Sequence, residues 1–278
     1  EAAWVRKVAD GTHLHLCELT REAIEADLQA TVARQGEPFG GVTVIGYDSV
    51  YRAAREEGIT VLLDGNGVDE CFLGYTRYVK AANGGSAVGV AIDGTSPVAV
   101  SAIADGLRRR ARARPCAPHA GGFCDPVRAL AANDLLSTKI PRGLRFNDRM
   151  SMGRSRELRV PFLDHRLVEF GFSVPVRHHL AGGESKALFR RIAEKWIPHK
   201  VAHAPKRSVQ SPQREWLAEG WSQLVRDILN APSFAARGWV DPVRARLLYN
   251  EYRTGMNENS FFLWQWINLE LWARAFLD

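Results

Sequence analysis

The sequence predicts an α/β protein, with a partial parallel-sheet layer near its start followed by a mainly helical half. Three observations predict it. Residues 59–63, ITVLL, form an apolar run rich in β-branched side chains and without alternation, the pattern of a strand buried on both faces. Asp64, Gly65, Asn66 and Gly67 break that run with turn-forming residues, and Val68, Phe72, Leu73 and Tyr75 to Tyr78 behind them can line an amphipathic helix. From Val127 onward apolar residues recur at helical spacing almost to the end of the chain.

In chain order, Trp4, Val5, Val8 and Ala9 recur at helical spacing, and Asp10-Gly11 ends that helix. Residues 13–16 read as a short strand. His13 and His15 alternate along it and could bind a metal, or equally form its polar face. Thr20 starts the next helix, with Ile24 and Leu28 on its inner side. Glu37-Pro38-Phe39-Gly40-Gly41 is a loop, because Pro38 blocks helix continuation and the glycines permit tight backbone geometry. Residues 49–58 are a helix leading into the central strand.

Residues 83–126 read as a variable insertion between parts 1–82 and 127–278. They are rich in Ala, Gly and Ser, without clean periodicity until 98–107. Asn83-Gly84-Gly85-Ser86 is a surface turn, since no buried strand precedes it. Leu130, Leu135 and Leu136 lead to Ile140-Pro141, followed by Leu144, Met150 and Met152. Residues 159–164 read as a turn within helices, after which Leu167, Val168 and Phe170 resume a helical face. Residues 185–196 form a basic amphipathic helix with Leu188, Phe189, Ile192 and Trp196 inward. The last helix, 261–276, carries Trp264, Trp266, Ile267, Leu269, Leu271 and Trp272 as core rather than as a stacking platform.

The chain has 278 residues, enough for one large core or two modest ones. Apolar content of 46% and charged content of 24% fit a soluble globular protein. No apolar run approaches the roughly 20 residues that span a bilayer. Cys17, Cys71, Cys116 and Cys124 are scattered without a CxxC pair, which points to a reduced, cytoplasmic protein. Cys116, His119 and Cys124 fit no standard zinc spacing. The net charge of +6 suits an anionic partner. The arginine-rich run at 107–114 lacks interleaved aromatics and reads as a solvated helix face rather than a nucleic-acid surface. The chain begins at Glu1 with neither Met nor an apolar leader, and is expected to be a fragment of something longer.

Strand, glycine turn and helix place residues 64–67 at the carboxyl end of a parallel strand, where α/β sheets bind ligands. The glycines let backbone N–H groups approach an anion. Asp69 and Glu70 fall in the first helical turn, where carboxylates complement the helix dipole and could also hold Mg²⁺ beside a phosphate.

LLDGNGVDECFLGYTRY (62–78), NDRMSMGRSRELRVPFLDHRLVEF (147–170) and APKRSVQSPQREWL (204–217) together resemble the asparagine synthetase family, in the family's order and across most of the chain. The resemblance implies an adenine nucleotide alpha hydrolase-like layer, of which 1–82 is an incomplete nucleotide-binding part, with 127–278 as the helical part of a synthetase domain. It implies that ATP adenylates the side-chain carboxylate of aspartate and that ammonia derived from glutamine then attacks the acyl-adenylate. ATP and Mg²⁺ are the implied cofactors. Gly65, Asn66, Gly67 and Asp69 match the nucleotide-binding signature, and Asp69 matches its Mg²⁺ ligand. Lys206 matches a lysine that contacts the phosphates and the developing charge. Glu70 is paired with it as the second candidate catalytic residue, ordering the helix start or touching substrate, and Tyr75 packs with its hydroxyl tied down. Asp148, Arg149, Ser151, Glu157 and Arg159 also match motif positions. Glu157 and Arg159 are expected in buried Arg–carboxylate pairs, and Asp148 and Arg149 near the substrate. Glu37-Pro38-Phe39 resembles a family segment beside the substrate site.

Two departures qualify this. Asn66 stands where many relatives carry an acid or Gln, and an amide cannot act as a general base. Attack by ammonia needs little base help, so asparagine-type chemistry survives this change better than cyclisation does. The family's Ser-Gly-Gly-x-Asp-Ser pyrophosphate loop and its glutaminase domain do not occur in these residues. No nucleic acid and no membrane is expected as partner, and homodimerisation is left open. The alternatives are a related ligase acting on a sugar acid, peptide or β-amino acid, and a non-catalytic remnant of the family.

A phosphate loop works through several oriented backbone N–H groups, and the 65–67 turn with Asp69 supplies one side of such a cradle. Residues 1–278 alone are therefore expected to bind no Mg-ATP and to associate through an uncovered sheet edge. Calorimetric titration checks this, and micromolar binding would contradict it.

Overall fold

Two short strands, β1 (Val61–Leu63) and β2 (Glu157–Arg159), pair in parallel amid helices in this computed structural model, which describes residues 2–9, 12–85, 96–111, 122–205 and 211–278. Before β1 lie α1 (Ala2–Val8), α2 (Arg21–Gln35) and α3 (Thr43–Glu56); α4 (Val68–Cys71) and α5 (Thr76–Ala82) follow it. The crossover to β2 runs through α6 (Asp105–Arg110), α7 (Pro126–Asn133), a π-helical turn at Asp134–Thr138 and α8 (Ile140–Met152). Then come α9 (His165–Ser173), α10 (Val176–His179), α11 (Ala187–Ala193), α12 (His199–Ala202) and α13 (Gln213–Glu215). The chain closes with α14 (Ser222–Leu229), α15 (Pro232–Ala236), α16 (Pro242–Arg253) and α17 (Phe261–Phe276). Among the described residues no helix is long and apolar enough to cross a membrane.

The α/β class and the helical second half match the expectation. The strand itself is shorter than predicted and is not buried on both faces. Leu62 faces Leu158 in register, and both pack on the main core, whereas Val61 and Leu63 turn outward and Leu63 is 74% exposed. Helices cover one face of this sheet, and an apolar residue on the other face hides the alternation. Arg159, expected in a turn within helices, ends β2. Glu157 and Arg159, the outward residues of β2 on either side of Leu158, are polar, and a three-residue strand is too short for a period of two to show. Residues 13–16 form no strand; His13 and His15 stack at 4.6 Å in irregular chain.

Two predicted helices are also revised. The helix after the glycine turn is broken between α4 and α5 by Leu73, which adopts a left-handed φ of 58°. The 185–196 helix is only α11, because the chain turns toward Pro198; Ile192 and Trp196, expected inward, are exposed. Thr20 caps α2 by accepting from Ala23 N, as predicted, and Asp125 and Asp241 cap α7 and α16 ahead of a proline in the first turn. The exposed Arg108, Arg109 and Arg110 form a solvated face on α6. Cys116, His119 and the rest of 112–121 lie outside the described residues, as does Ser86.

The main core joins α2 and α3 to α14, α16 and α17, with Trp264 fully buried. The 36–41 loop carries carbonyls that no helix satisfies, and α17 supplies donors for them. Trp264 Nε1, Gln265 Nε2 and Asn268 Nδ2 all donate to Phe39 O, at 3.0, 3.2 and 2.8 Å, and Trp272 Nε1 donates to Gly36 O at 2.9 Å. A second apolar cluster, Leu73, Tyr78, Ala81, Val127 and Ala131, holds α5 against α7.

Asp48 of α3 is fully buried and meets Arg34 of α2 at 3.1 Å and Arg154, after α8, at 2.8 Å. This pair of arginines binds three elements through one carboxylate. Asp48→Ala leaves both guanidinium groups uncompensated, and equilibrium urea unfolding is expected to show a loss of about 3–5 kcal/mol.

Candidate functional site

The two strands end side by side, and the glycine turn leaves from that end. Asp64 N continues the ladder by donating to Arg159 O at 2.8 Å. Its carboxylate then folds back: Oδ1 accepts from Asn66 N at 2.7 Å, an Asx turn that fixes the loop. Asn147 Nδ2 reaches Asp64 Oδ2 at 3.5 Å from α8. Gly67 has a φ of 97°, and a Cβ there would collide with Leu163 beneath it, so the turn requires glycine at this point. Gly65 is different. It is exposed, and a Cβ on it would meet nothing within 4 Å, so that side of the turn faces open space. Asn66 Nδ2 is buried and has no hydrogen-bond partner among the described residues. Such a donor is the kind of group that a bound anion or carbonyl satisfies.

Asp69 and Glu70 lie in the first turn of α4, as predicted, but they face different surroundings. Asp69 Oδ1 pairs with Lys186 Nζ at 2.9 Å, both side chains being about one-sixth exposed (15% and 16%). The carboxylate occupies the space where Gly74 would carry a Cβ, and Lys186 closes the other side. Lys186 itself has a φ of 59°, a left-handed conformation for a long side chain, at the start of α11.

Glu70 is buried behind Asp69 and accepts a hydrogen bond from Tyr75 OH at 2.9 Å. Burial raises its carboxyl above the usual range, against the lowering effect of the Tyr75 bond and of Lys139. Lys139 lies over the Tyr75 ring at 3.4 Å, and burial lowers its ammonium. Asp134 accepts from Tyr78 OH at 2.7 Å and Thr138 Oγ1 at 2.8 Å and pairs with Arg77. The π-helical turn puts Asp134 inward and releases Lys139 toward Tyr75. Cys71, next to Glu70, is pushed up to about 12 by burial and remains a thiol.

The remaining predicted residues are spread around this centre. Lys206 lies outside the described residues, which stop at Pro205. The approach to it is well held: Arg190 is buried and donates to Ala202 O at 2.6 Å and Ala204 O at 2.9 Å. A cavity of about 250 Å³ lies there, lined by Lys186, Phe189, Arg190, Val201 and Pro205 among others. Lys186 thus touches both the cavity and Asp69. Arg149 donates to Gln35 O, which ties α8 to the end of α2, and Ser151 Oγ donates to Asp148 O at 3.1 Å within α8. Arg159 does pair with Glu157, at 2.7 Å, but both are more than half exposed, so the pair is not buried. Buried carboxylates do pair with arginines elsewhere, Asp48 with Arg34 and Arg154, Asp134 with Arg77, and Glu270 with Arg237 and Arg274. Sequence reading missed Lys186, Lys139 and Asp64. The Asx-turn position of Asp64 two residues before Asn66 was a usable signal; the two lysines gave none.

Comparison with known proteins adds the family. The model of the asparagine synthase family, described as "Asparagine synthase", matches residues 1–274. A Mycobacterium tuberculosis protein described as "Putative asparagine synthetase [glutamine-hydrolyzing]" is 30% identical over 154 residues, covering 55% of this chain and 24% of that protein. Glutamine-hydrolysing asparagine synthetase 1 of Bacillus subtilis is 30% identical over 131 residues, 44% of this chain and 20% of the relative. The matched stretch is thus a quarter or less of each of these relatives. With the family model spanning nearly the whole chain, this protein belongs to the asparagine synthase family.

Proposed function

We propose that this chain forms the synthetase part of a glutamine-dependent asparagine synthetase. The observation that carries this reading is the 64–70 turn. It leaves the carboxyl end of a parallel strand pair, exposes Gly65, holds a buried Asn66 Nδ2 without a hydrogen-bond partner among the described residues, and leads into Asp69 in the first turn of α4, in a chain of this family. In the proposed reaction an oxygen of the aspartate side-chain carboxylate attacks the α-phosphorus of ATP, and pyrophosphate leaves. The nitrogen lone pair of ammonia then attacks the acyl carbon, AMP departs, and the nitrogen loses a proton to give the amide.

In this reading the open side of the turn at Gly65 faces the phosphate-bearing ligand, and the Asn66 side-chain amide donates to it. Asp69 would hold Mg²⁺, which neutralises phosphate charge when bound. Lys186 already neutralises that carboxylate, so the lysine must share Asp69 or swing toward the phosphates when the ion enters. Lys206 stabilises the leaving pyrophosphate. Glu70 acts as a positioning residue, holding Tyr75 and the start of α4. Asn66 offers no base, which favours ammonia as nucleophile, since it arrives with its lone pair available.

Asn66 also supports a second reading, a related ligase with another acyl substrate. Pyrophosphate release by the protein that carries this chain separates the readings. Aspartate-dependent release with asparagine formed from ammonia or glutamine supports the first. Release only with a sugar acid, peptide or β-amino acid replaces it with the second, and no release with any carboxylic acid leaves a non-catalytic member.

In the same assay Lys206→Ala is expected to reduce turnover about a hundredfold, the scale for removing one preorganised charge contact. Unchanged turnover would remove Lys206 from the mechanism. Asp69→Asn is expected to raise the Mg²⁺ concentration needed for half-maximal nucleotide binding; an unchanged requirement would leave Asp69 as a partner of Lys186 only.

A further inference from the structure

Away from the glycine turn, the ends of α11 and α12 bring together two histidines, His199 and His203, and two carboxylates, Glu184 and Glu194, near the surface. His199 Nδ1 lies 3.1 Å from Glu194 Oε1, and the same oxygen touches His203 Nε2. His203 Nδ1 lies 2.9 Å from both oxygens of Glu184. The two imidazole rings are 4.5 Å apart between centroids. In sequence these are Glu194-x4-His199-x3-His203, and a spacing of four puts two histidines on one side of a helical turn.

We propose that Glu194, His199 and His203 form a site for one divalent transition-metal ion of the zinc type, oriented by Glu184. Their ligand atoms all lie within 4.8 Å of one another. Ligand atoms about 2 Å from a tetrahedral ion sit roughly 3.3 Å apart, so side-chain rotation alone closes the set. Two imidazole nitrogens and one carboxylate oxygen suit zinc, nickel or cobalt rather than magnesium or calcium. The role of Glu184 is the strongest argument. A carboxylate on one ring nitrogen of a ligating histidine fixes the tautomer, so that the other nitrogen presents its lone pair. In His203 that second nitrogen, Nε2, points at Glu194, so the imidazole and the carboxylate face one shared position, and His199 supplies the third ligand beside it.

The place of the site gives it a consequence. His203 lies three residues before Lys206, and Arg190 already clamps the carbonyls of Ala202 and Ala204. A bound ion ties the end of α11 to the same stretch. The proposal rests on this cluster alone and does not depend on the amide-forming reading.

Titration of the untagged protein with Co²⁺ tests it, read by visible d–d absorption and by calorimetry. We expect absorption that saturates at one equivalent, and Zn²⁺ that displaces Co²⁺ and raises the melting temperature. A variant with His199→Gln and His203→Gln together is expected to lose both signals. His199→Gln alone, at a side chain 75% exposed, serves as the variant that keeps the fold. Glu184→Gln is expected to weaken binding about 10–100-fold without abolishing it. No saturable absorption overturns the proposal. So does absorption that survives in the histidine variants, or a sulfur-to-cobalt charge-transfer band from the exposed Cys124.

Discussion

The carboxylate of Asp69 is lodged where Gly74 lacks a side chain and is held there by Lys186. Much of the candidate site follows from that contact. It forces glycine at position 74 and accompanies the left-handed residue Leu73 that ends α4, with Gly74 N donating to Asp69 O at 2.7 Å. It joins the turn after β1 to the start of α11, nearly 120 positions later in the sequence. Through α11 it reaches Arg190 and the carbonyls that lead to Lys206. This ion pair therefore connects the 62–78 motif to α11, whose Arg190 in turn holds the carbonyl of Ala204 at the start of the 204–217 motif.

A second layer keeps that pair in place. Glu70, Tyr75, Lys139, Arg77, Tyr78, Thr138 and Asp134 form a polar cluster behind the turn, with the two carboxylates almost fully buried. Buried carboxylates are tolerated where hydrogen bonds and cations surround them, and each here has both. The 36–39 loop is held on another side by α17, which spends four side-chain donors on two carbonyls. The turn therefore rests on fixed neighbours, with Gly65 facing open space and the buried Asn66 Nδ2 beside it.

The α/β class, the helical second half, the glycine turn and the buried last helix were legible because each rests on a local pattern. The last helix is apolar on nearly every side, Trp264, Trp266 and Ile267 included, as a helix buried in a core must be, and Thr20 is a cap followed by a helix. What escaped notice depended on partners distant in sequence. β2 looks like a turn because its pairing with β1 crosses almost a hundred residues, and Leu63 looks like core because nothing local says which face is covered. Lys186 and Lys139 look like ordinary surface lysines until the fold carries them to Asp69 and Tyr75. The Glu157–Arg159 pair was found, but its exposure is a property of the sheet's open face.

The arrangement of the site requires that Asp69 and Lys186 be energetically joined. A double-mutant cycle with Asp69→Asn and Lys186→Met, followed by urea unfolding, measures this directly. The structure predicts a coupling energy above about 1 kcal/mol, within the range for residues in direct contact. Effects that add to within about 0.3–0.5 kcal/mol would mean that the two side chains do not sense each other, and would contradict the arrangement described for the site.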